Sequence, residues 1–158
     1  MKEETVMAQV RHREFRFPVE VRWDGGRRTT ARVDGKPPLP IATPPEFKGS
    51  DPGLWSPEDT FVAAAGSCLA VTIAALAERE QLPLHDLAVK ADGVVGRRPD
   101  GRFGFVRVEQ SVTLATDPEH EDAARALVTK AHETCLVSVS LDLPVETGVE
   151  IDRSVPAA

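Results

Sequence analysis

Tyrosine is absent from this chain of 158 residues, aromatic side chains make up 5% of it, and cysteine occurs only twice. So low a cysteine count excludes a disulfide-dense secreted scaffold. With no secretory context it predicts a reducing, cytoplasmic setting, where the two thiols are either buried filler or redox groups. Basic charge is also in short supply. The net charge is −6, and nothing forms the basic patch that a nucleic-acid partner needs. No run of about 18 apolar residues stands out, which predicts no membrane-spanning helix and no membrane partner. The N-terminal stretch MKEETVMAQVRHREF carries acids and no apolar core, which predicts no secretory leader. What is present is 41% hydrophobic and 28% charged residues. That mixture fits one soluble globular domain over 1–158, with chain enough for a real core.

The N-terminal third reads as strands. Val6, Ala8 and Val10, then Phe15, Phe17, Val19 and Val21, keep the period of two of a half-buried strand. Asp24-Gly25-Gly26 is a turn signal able to close a hairpin. From 37 to 57 the chain reads PPLPIATPPEFKGSDPGLWSP and holds seven of the thirteen prolines. Proline lacks the ladder donor, so this stretch is an ordered loop or a loosely extended edge and not a helix.

At Ser56 the signals change. Serine at the N-cap, Pro57 at the first helical position and the acids Glu58 and Asp59 make a strong helix start. Phe61, Val62, Ala65, Leu69, Ile73 and Leu76 then occupy almost every face, which predicts a helix buried nearly all round. It ends near Glu80, before Pro83. Leu87, Val89 and Ala91 alternate as a strand, and Pro99-Asp100-Gly101 is a turn. In the next strand the apolar parity passes from odd (Phe103, Phe105) to even (Val106, Val108, Val112, Leu114). A slip of one residue turns a strand over, so the spacing predicts a bulge near 105–106. Asp117-Pro118-Glu119 opens a second helix with Ala123, Leu127 and Ala131 as its buried stripe and Cys135 at or just past its end. Val145, Thr147, Val149 and Ile151 form the last strand. Strands, buried helix, hairpin, helix and strand make an α+β fold with sheets covering two helices.

Free cysteine is among the most buried residue types and packs as a small hydrophobe, a reading open to both thiols. Against it, Cys68 follows Ala63, Ala64, Ala65, Gly66 and Ser67, small residues that let a second backbone or a substrate come close. Both cysteines also lie near polar groups. A thiol in apolar surroundings is inert, and it becomes a nucleophile only where a cation or a helix N-terminus stabilises its thiolate.

SPEDTFVAAAGSC, residues 56–68, places Glu58 ten positions before Cys68. It resembles the first signature of the OsmC/Ohr proteins, the osmotically inducible and organic hydroperoxide resistance proteins. KAHETCLVS, residues 130–138, resembles their second signature, and Asp24-Gly25-Gly26-Arg27 resembles their N-terminal Gly-Gly-Arg turn. The three segments stand in the family's order along nearly the whole chain. The resemblance implies an OsmC-like fold, antiparallel sheets wrapped around two central helices in an intertwined homodimer, with active sites at the subunit interface. It also implies a cysteine-based peroxidase for organic hydroperoxides, with Cys68 as peroxidatic and Cys135 as resolving cysteine. Glu58 matches the acid that pairs with the active-site arginine. Arg27 matches that arginine, or Arg28 if the alignment slips by one.

In such a site the Arg27 guanidinium would hold Cys68 as thiolate and contact the peroxide, and Glu58 would orient the guanidinium fork. Attack on the O–O bond releases an alcohol and leaves a sulfenic acid, which condenses with Cys135 to a disulfide. A dithiol such as a lipoylated protein or dihydrolipoamide restores both thiols. No metal or organic cofactor is implied. Ten residues of helix rise roughly 15 Å, and the two directions differ by about 80°, so Glu58 and Cys68 cannot meet along one straight helix. Either the helix begins later than Ser56, or Glu58 acts through Arg27 on a bent segment, or it serves the partner subunit's cysteine. We expect a site that spans the interface.

Other features have plainer readings. His132-x-x-Cys135 has metal-like spacing, but zinc needs three or four ligands and no second close pair exists. Trp55 and Phe47 either form an apolar collar for a lipid-like peroxide or anchor their loop in the core. Asp100-Gly101-Arg102 is a hairpin turn, and Glu119, Glu121 and Asp122 are a solvated helix start. The hydroperoxide-resistance branch usually follows its second cysteine with Pro, Tyr, Ser and Asn, where this chain has Leu136, Val137, Ser138 and Val139. That departure, with the absent tyrosine, marks a divergent OsmC-like branch. It keeps open a catalytically weak protein that binds a small hydrophobic ligand or senses thiols.

Overall fold

A computed structural model describes residues 14–154. The alternation at Val6, Ala8 and Val10 lies outside them. The chain divides into two compact units, one ending at Trp55 and one beginning at Ser56.

The first unit is a three-stranded antiparallel sheet of β1 (Glu20–Gly25), β2 (Arg28–Arg32) and β3 (Leu39–Ala42), in that order. Gly25 and Gly26 close the β1–β2 hairpin with φ of +102° and +56°, a region that only glycine enters without cost. Pairing begins at Glu20↔Arg32, so the expected strand does not reach back to Phe15 and Phe17. The reason is the partner: β2 ends at Arg32, and the chain turns through Lys36 N–H to Val33 O, 3.1 Å. The proline-rich stretch supplies β3, which pairs with β2 alone within its sheet, and a short 3₁₀ turn at Pro45–Phe47. An edge strand tolerates Pro40 because its missing donor disrupts no second ladder. Trp55 bridges to Ile41. Phe47 and Trp55 both stay partly exposed, so neither anchors its loop in a core.

The second unit opens with α1 (Pro57–Glu80). Ser56 Oγ accepts the Asp59 N–H at 2.9 Å and Asp59 Oδ2 accepts the Ser56 N–H at 2.8 Å, a reciprocal cap. Gln81 ends the helix in the left-handed conformation, two residues before Pro83. β4 (Asp86–Arg97) and β5 (Phe103–Ala115) form a long hairpin. Val94 faces Arg107 and Val95 faces Phe105, leaving Val106 as the extra residue. The parity switch therefore marks a real bulge.

After β5 come α2 (Glu121–Thr134), α3 (Leu136–Val139) and β6 (Val145–Ile151). β6 pairs parallel to β5, in the order β4-β5-β6. The expectation of purely antiparallel sheets is corrected here: α2 and α3 are the crossover that returns the chain in the same direction.

Two helix expectations also change. Pro118–His120 forms a 3₁₀ turn, Asp117 makes no side-chain cap, and α2 starts only at Glu121. Its buried residues are Ala124, Leu127, Val128 and Ala131. Ala123 is exposed because it stands about 90° from the centre of that stripe at 100° per residue. α1 is not buried all round within its unit. Ala65, Gly66, Leu69, Ile73, Leu76 and Ala77 are buried, while Ala64, Ser67, Ala74 and Ala75 face outward with Val71, which is 65% exposed. By length and composition alone α1 could cross a membrane, contrary to the reading of the sequence. The core helix of a soluble protein passes the same test, and one side of α1 packs on β4, α2 and α3.

The core joins Leu69, Ile73 and Leu76 of α1 to Val112 and Leu114 of β5 and to Leu127, Val128 and Ala131 of α2. Its closest approach is at glycine. A Cβ on Gly66 would stand 3.3 Å from Ala91 Cβ on β4, and one on Gly93 would overlap Val62 Cγ2 and Phe105 Cε1. The Phe105 ring is already stacked on Phe61 at 4.4 Å. Gly93→Ala should therefore lower stability by about 1–3 kcal/mol through overpacking, read as a lower urea midpoint with unchanged slope. An unchanged midpoint would mean that α1 does not pack here as described.

Candidate active site at the cysteine pair

Cys68 sits on α1, two residues after Gly66, the small residue that lets the helix lie against β4. Its carbonyl accepts the Thr72 hydroxyl at 2.7 Å. Cys135 is the hinge between α2 and α3, in an extended conformation at φ −62° and ψ 114°. The residue belongs to both helices' ends because the α2 stripe carries it inward beside Ala131. It is wholly buried in the core, and the half-buried Cys68 packs against that core. Both are free thiols, and the Cys68 thiol lies near enough to Cys135 to help lower its pKa. The two cysteines, 67 positions apart in the chain, are direct neighbours.

Cys135 is chemically the better described of the two. Burial pushes its thiol pKa up. The nearby Ser138 hydroxyl and N–H, the Cys68 thiol and the Val137 N–H favour the thiolate and more than offset burial, so the pKa falls below the ordinary thiol value. The Ser138 hydroxyl oxygen is buried and has no hydrogen-bond partner among the described residues.

A polar chain links α2, β6 and β5. His132 Nδ1 meets Thr147 Oγ1 at 3.0 Å, and the Thr147 hydroxyl stands 3.2 Å from Gln110 Oε1. Gln110 is buried and its Nε2 has no partner. His132 thus hydrogen-bonds near the helix end, as a packed histidine does. The convergent His/Asp/Glu group among the described residues is Asp117, Glu119 and His120 at the start of the crossover from β5 to β6, and it does not include His132 or Cys135.

Glu58 lies in the first turn of α1 with its Oε2 buried and unpartnered. α1 runs unbroken from Pro57, which removes a later helix start and leaves Glu58 roughly 15 Å of rise from Cys68. Arg27 and Arg28 sit at the first hairpin turn. Arg28 Nε donates to Asp51 Oδ2 at 2.9 Å and its Nη2 to Oδ1. That fork raises the Arg28 pKa and lowers that of Asp51. Arg27 Nη1 donates only to the carbonyls of Phe47 and Lys48, at 3.0 and 3.4 Å, and no carboxylate pairs with it among the described residues. Both arginines line a cavity of about 530 Å³ with Lys48 and Asp51. Of the four expected site residues, the structure brings Cys68 and Cys135 together.

Ser138 and Gln110 were missed by motif reasoning. Ser138 has no local signal. Gln110 has one: it occupies the same parity as Val108, Val112 and Leu114 on β5, a polar residue where the pattern demands an apolar one.

Fold and site together define a dithiol protein, with one thiol midway along α1 and the other at the junction of α2 and α3. Comparison makes the class specific. The OsmC-like protein family matches residues 49–150, and this chain belongs to it. An uncharacterized protein of Bacillus subtilis (strain 168), YmaD, is 30% identical over 139 residues, spanning 85% of this chain and 91% of that one. An OsmC-like protein of unknown function from Vibrio cholerae has a similar structure, with a TM-score of 0.80 at 18% identity over 87% of this chain and 100% of that chain. The organic hydroperoxide resistance protein OsmC of Legionella pneumophila gives 0.71 at 24% identity over 89% and 99%. OhrB of B. subtilis, an organic hydroperoxide resistance protein, gives 0.62 at 22% over 87% and 98%. At these identities the structural likeness establishes the fold.

The low Cys135 pKa has a visible consequence. In Cys68→Ser, which keeps a donor toward the sulfur, ultraviolet thiolate absorbance should rise at lower pH than for free cysteine. The sign follows from linkage: a depressed native pKa adds stability above the unfolded thiol value, and that stability is lost as pH falls through the native value. A titration at or above the free-thiol value would contradict the donor set described.

Proposed function

We propose that this protein is a thiol peroxidase for organic hydroperoxides. The observation that carries the reading is the placement of a half-buried Cys68 against the core cluster that holds the buried Cys135. Cys68 as thiolate attacks the terminal oxygen of ROOH, the O–O bond breaks, and ROH leaves after taking a proton. The resulting sulfenic acid is attacked by the Cys135 sulfur, hydroxide leaves as water, and the disulfide forms. Two electrons from a dithiol, of the dihydrolipoamide or lipoylated-protein class, restore both thiols. Arg27 is the cation that favours the Cys68 thiolate, and Glu58 is its orienting carboxylate. The buried, unpartnered Glu58 Oε2 supports this pairing, since a buried carboxylate oxygen without a donor is costly.

The same reading makes the working form a homodimer. The outward side of α1 and α3 supports it, with Val71, Leu136 and Val139 exposed at 65, 70 and 63%. An apolar surface of this kind marks a binding face.

The test is a count of free thiols in reduced protein mixed with cumene hydroperoxide. Two thiols per chain should disappear, and Cys68→Ser should abolish the loss. Unchanged thiols under excess peroxide would replace this reading with a binding or thiol-sensing protein. Arg27→Lys keeps the charge but not the planar fork and should slow thiol loss about tenfold or more, the scale of a lost charge-assisted bond of about 1.5–3 kcal/mol. Arg28→Lys should have little effect because Asp51 already occupies that guanidinium.

A further inference from the structure

The two sulfurs of this site differ in access and in surroundings. Cys135 is wholly buried, whereas Cys68 keeps part of its surface open. Thiol–disulfide exchange passes through a nearly linear array of three sulfurs, so the nucleophile must arrive along the extension of the S–S bond beyond the sulfur it attacks. Cys135 lies within the buried cluster of Leu69, Leu127 and Ala131, which closes an approach to it. The half-buried Cys68 is the sulfur a nucleophile can reach. The polar groups are divided in the same sense: the Ser138 hydroxyl is buried without a hydrogen-bond partner three residues after Cys135, and it and the N–H groups of Val137 and Ser138 favour the Cys135 thiolate.

We propose that the disulfide is reduced with fixed polarity: the incoming dithiol attacks Cys68, and Cys135 departs as a thiolate received by Ser138. The inference rests on the disulfide of the proposed function. One sulfur of the dithiol, as thiolate, bonds to the Cys68 sulfur while the Cys68–Cys135 bond breaks and its electron pair goes to Cys135. The second dithiol sulfur then attacks the first, closes the oxidised reductant, and releases Cys68, which takes up a proton. Two electrons pass from dithiol to protein. Burial alone would make Cys135 a poor leaving group, and the donor set reverses that, since a thiol of lower pKa leaves faster. Ser138 is on this account a positioning residue for the reduction step.

The experiment oxidises the full chain with diamide, which makes the disulfide without peroxide. A pulse of the monothiol N-acetylcysteine is followed by acid quench, alkylation and peptide mass mapping. The adduct should lie on Cys68 with Cys135 alkylated, and an adduct mainly on Cys135 overturns the proposal. Ser138→Ala should slow reduction of the diamide-made disulfide by dihydrolipoamide about threefold, the effect of about one unit of thiol pKa at a slope near 0.5. Ser138→Thr, which keeps the hydroxyl, should restore the rate. An unchanged rate in Ser138→Ala overturns the role of the hydroxyl. A chain inert to cumene hydroperoxide but showing the Cys68 adduct refutes the peroxidase and leaves the polarity standing. A chain that forms no disulfide with diamide refutes the polarity as well.

Discussion

The close packing of α1 on β4, at the level of Gly66 and Ala91, is the constraint from which the site follows. Only because a glycine faces a short side chain there can the helix lie near enough for Leu69 and Ile73 to enter the core between β5 and α2. The same approach sets Cys68 against that core, and the α2 stripe sets Cys135 inside it. Dispersion and apolar burial therefore position the thiols, at roughly 25 cal/mol per Å² of buried apolar surface. No charge or metal is needed to bring them together.

Packing creates the acid–base asymmetry too. A thiol placed in such a core would ordinarily be inert, since burial disfavours its charged form. Here the chain leaves α2 at Cys135 and immediately turns into α3, and that change of direction keeps the Val137 and Ser138 amides and the Ser138 hydroxyl near enough to favour the thiolate. The cost of burial and the offsetting donors come from the same short segment. Cys68, on an unbroken helix whose amides are spent within it, has no such local help, which is why the proposed peroxidase assigns it a cation from elsewhere in the chain.

Much of the fold was legible in the amino-acid pattern where local chemistry decides the outcome. The cap at Ser56, the stop before Pro83, the glycine turn at Gly25-Gly26 and the bulge at Val106 all follow from dihedral limits or from the two-residue period of a strand. Patterns that depend on a neighbour were read less well. Phe15 and Phe17 alternate as a strand does, but β2 ends before it can pair with them. Ala123 fits an i, i+4 line, but the 3₁₀ turn at Pro118 lets α2 present Ala124 and Val128 instead. The all-round apolar character of α1 predicted burial on every face, and within its own unit only one side is covered.

For the site, the division is similar. The sequence alone determined which residue types are available: two cysteines in distinctive contexts, an acid in the first turn of a helix, and two arginines at a glycine turn. It also determined that Glu58 and Cys68 cannot meet along one helix, because helix rise and twist are local quantities. Tertiary structure decided the rest. Contact between Cys68 and Cys135 depends on how three helices pack, and spacing of 67 residues carries no information about it. The burial of the unpartnered Ser138 hydroxyl and of Gln110 depends on which polar groups the packing encloses. Those are properties of neighbours in space, which no window of sequence contains.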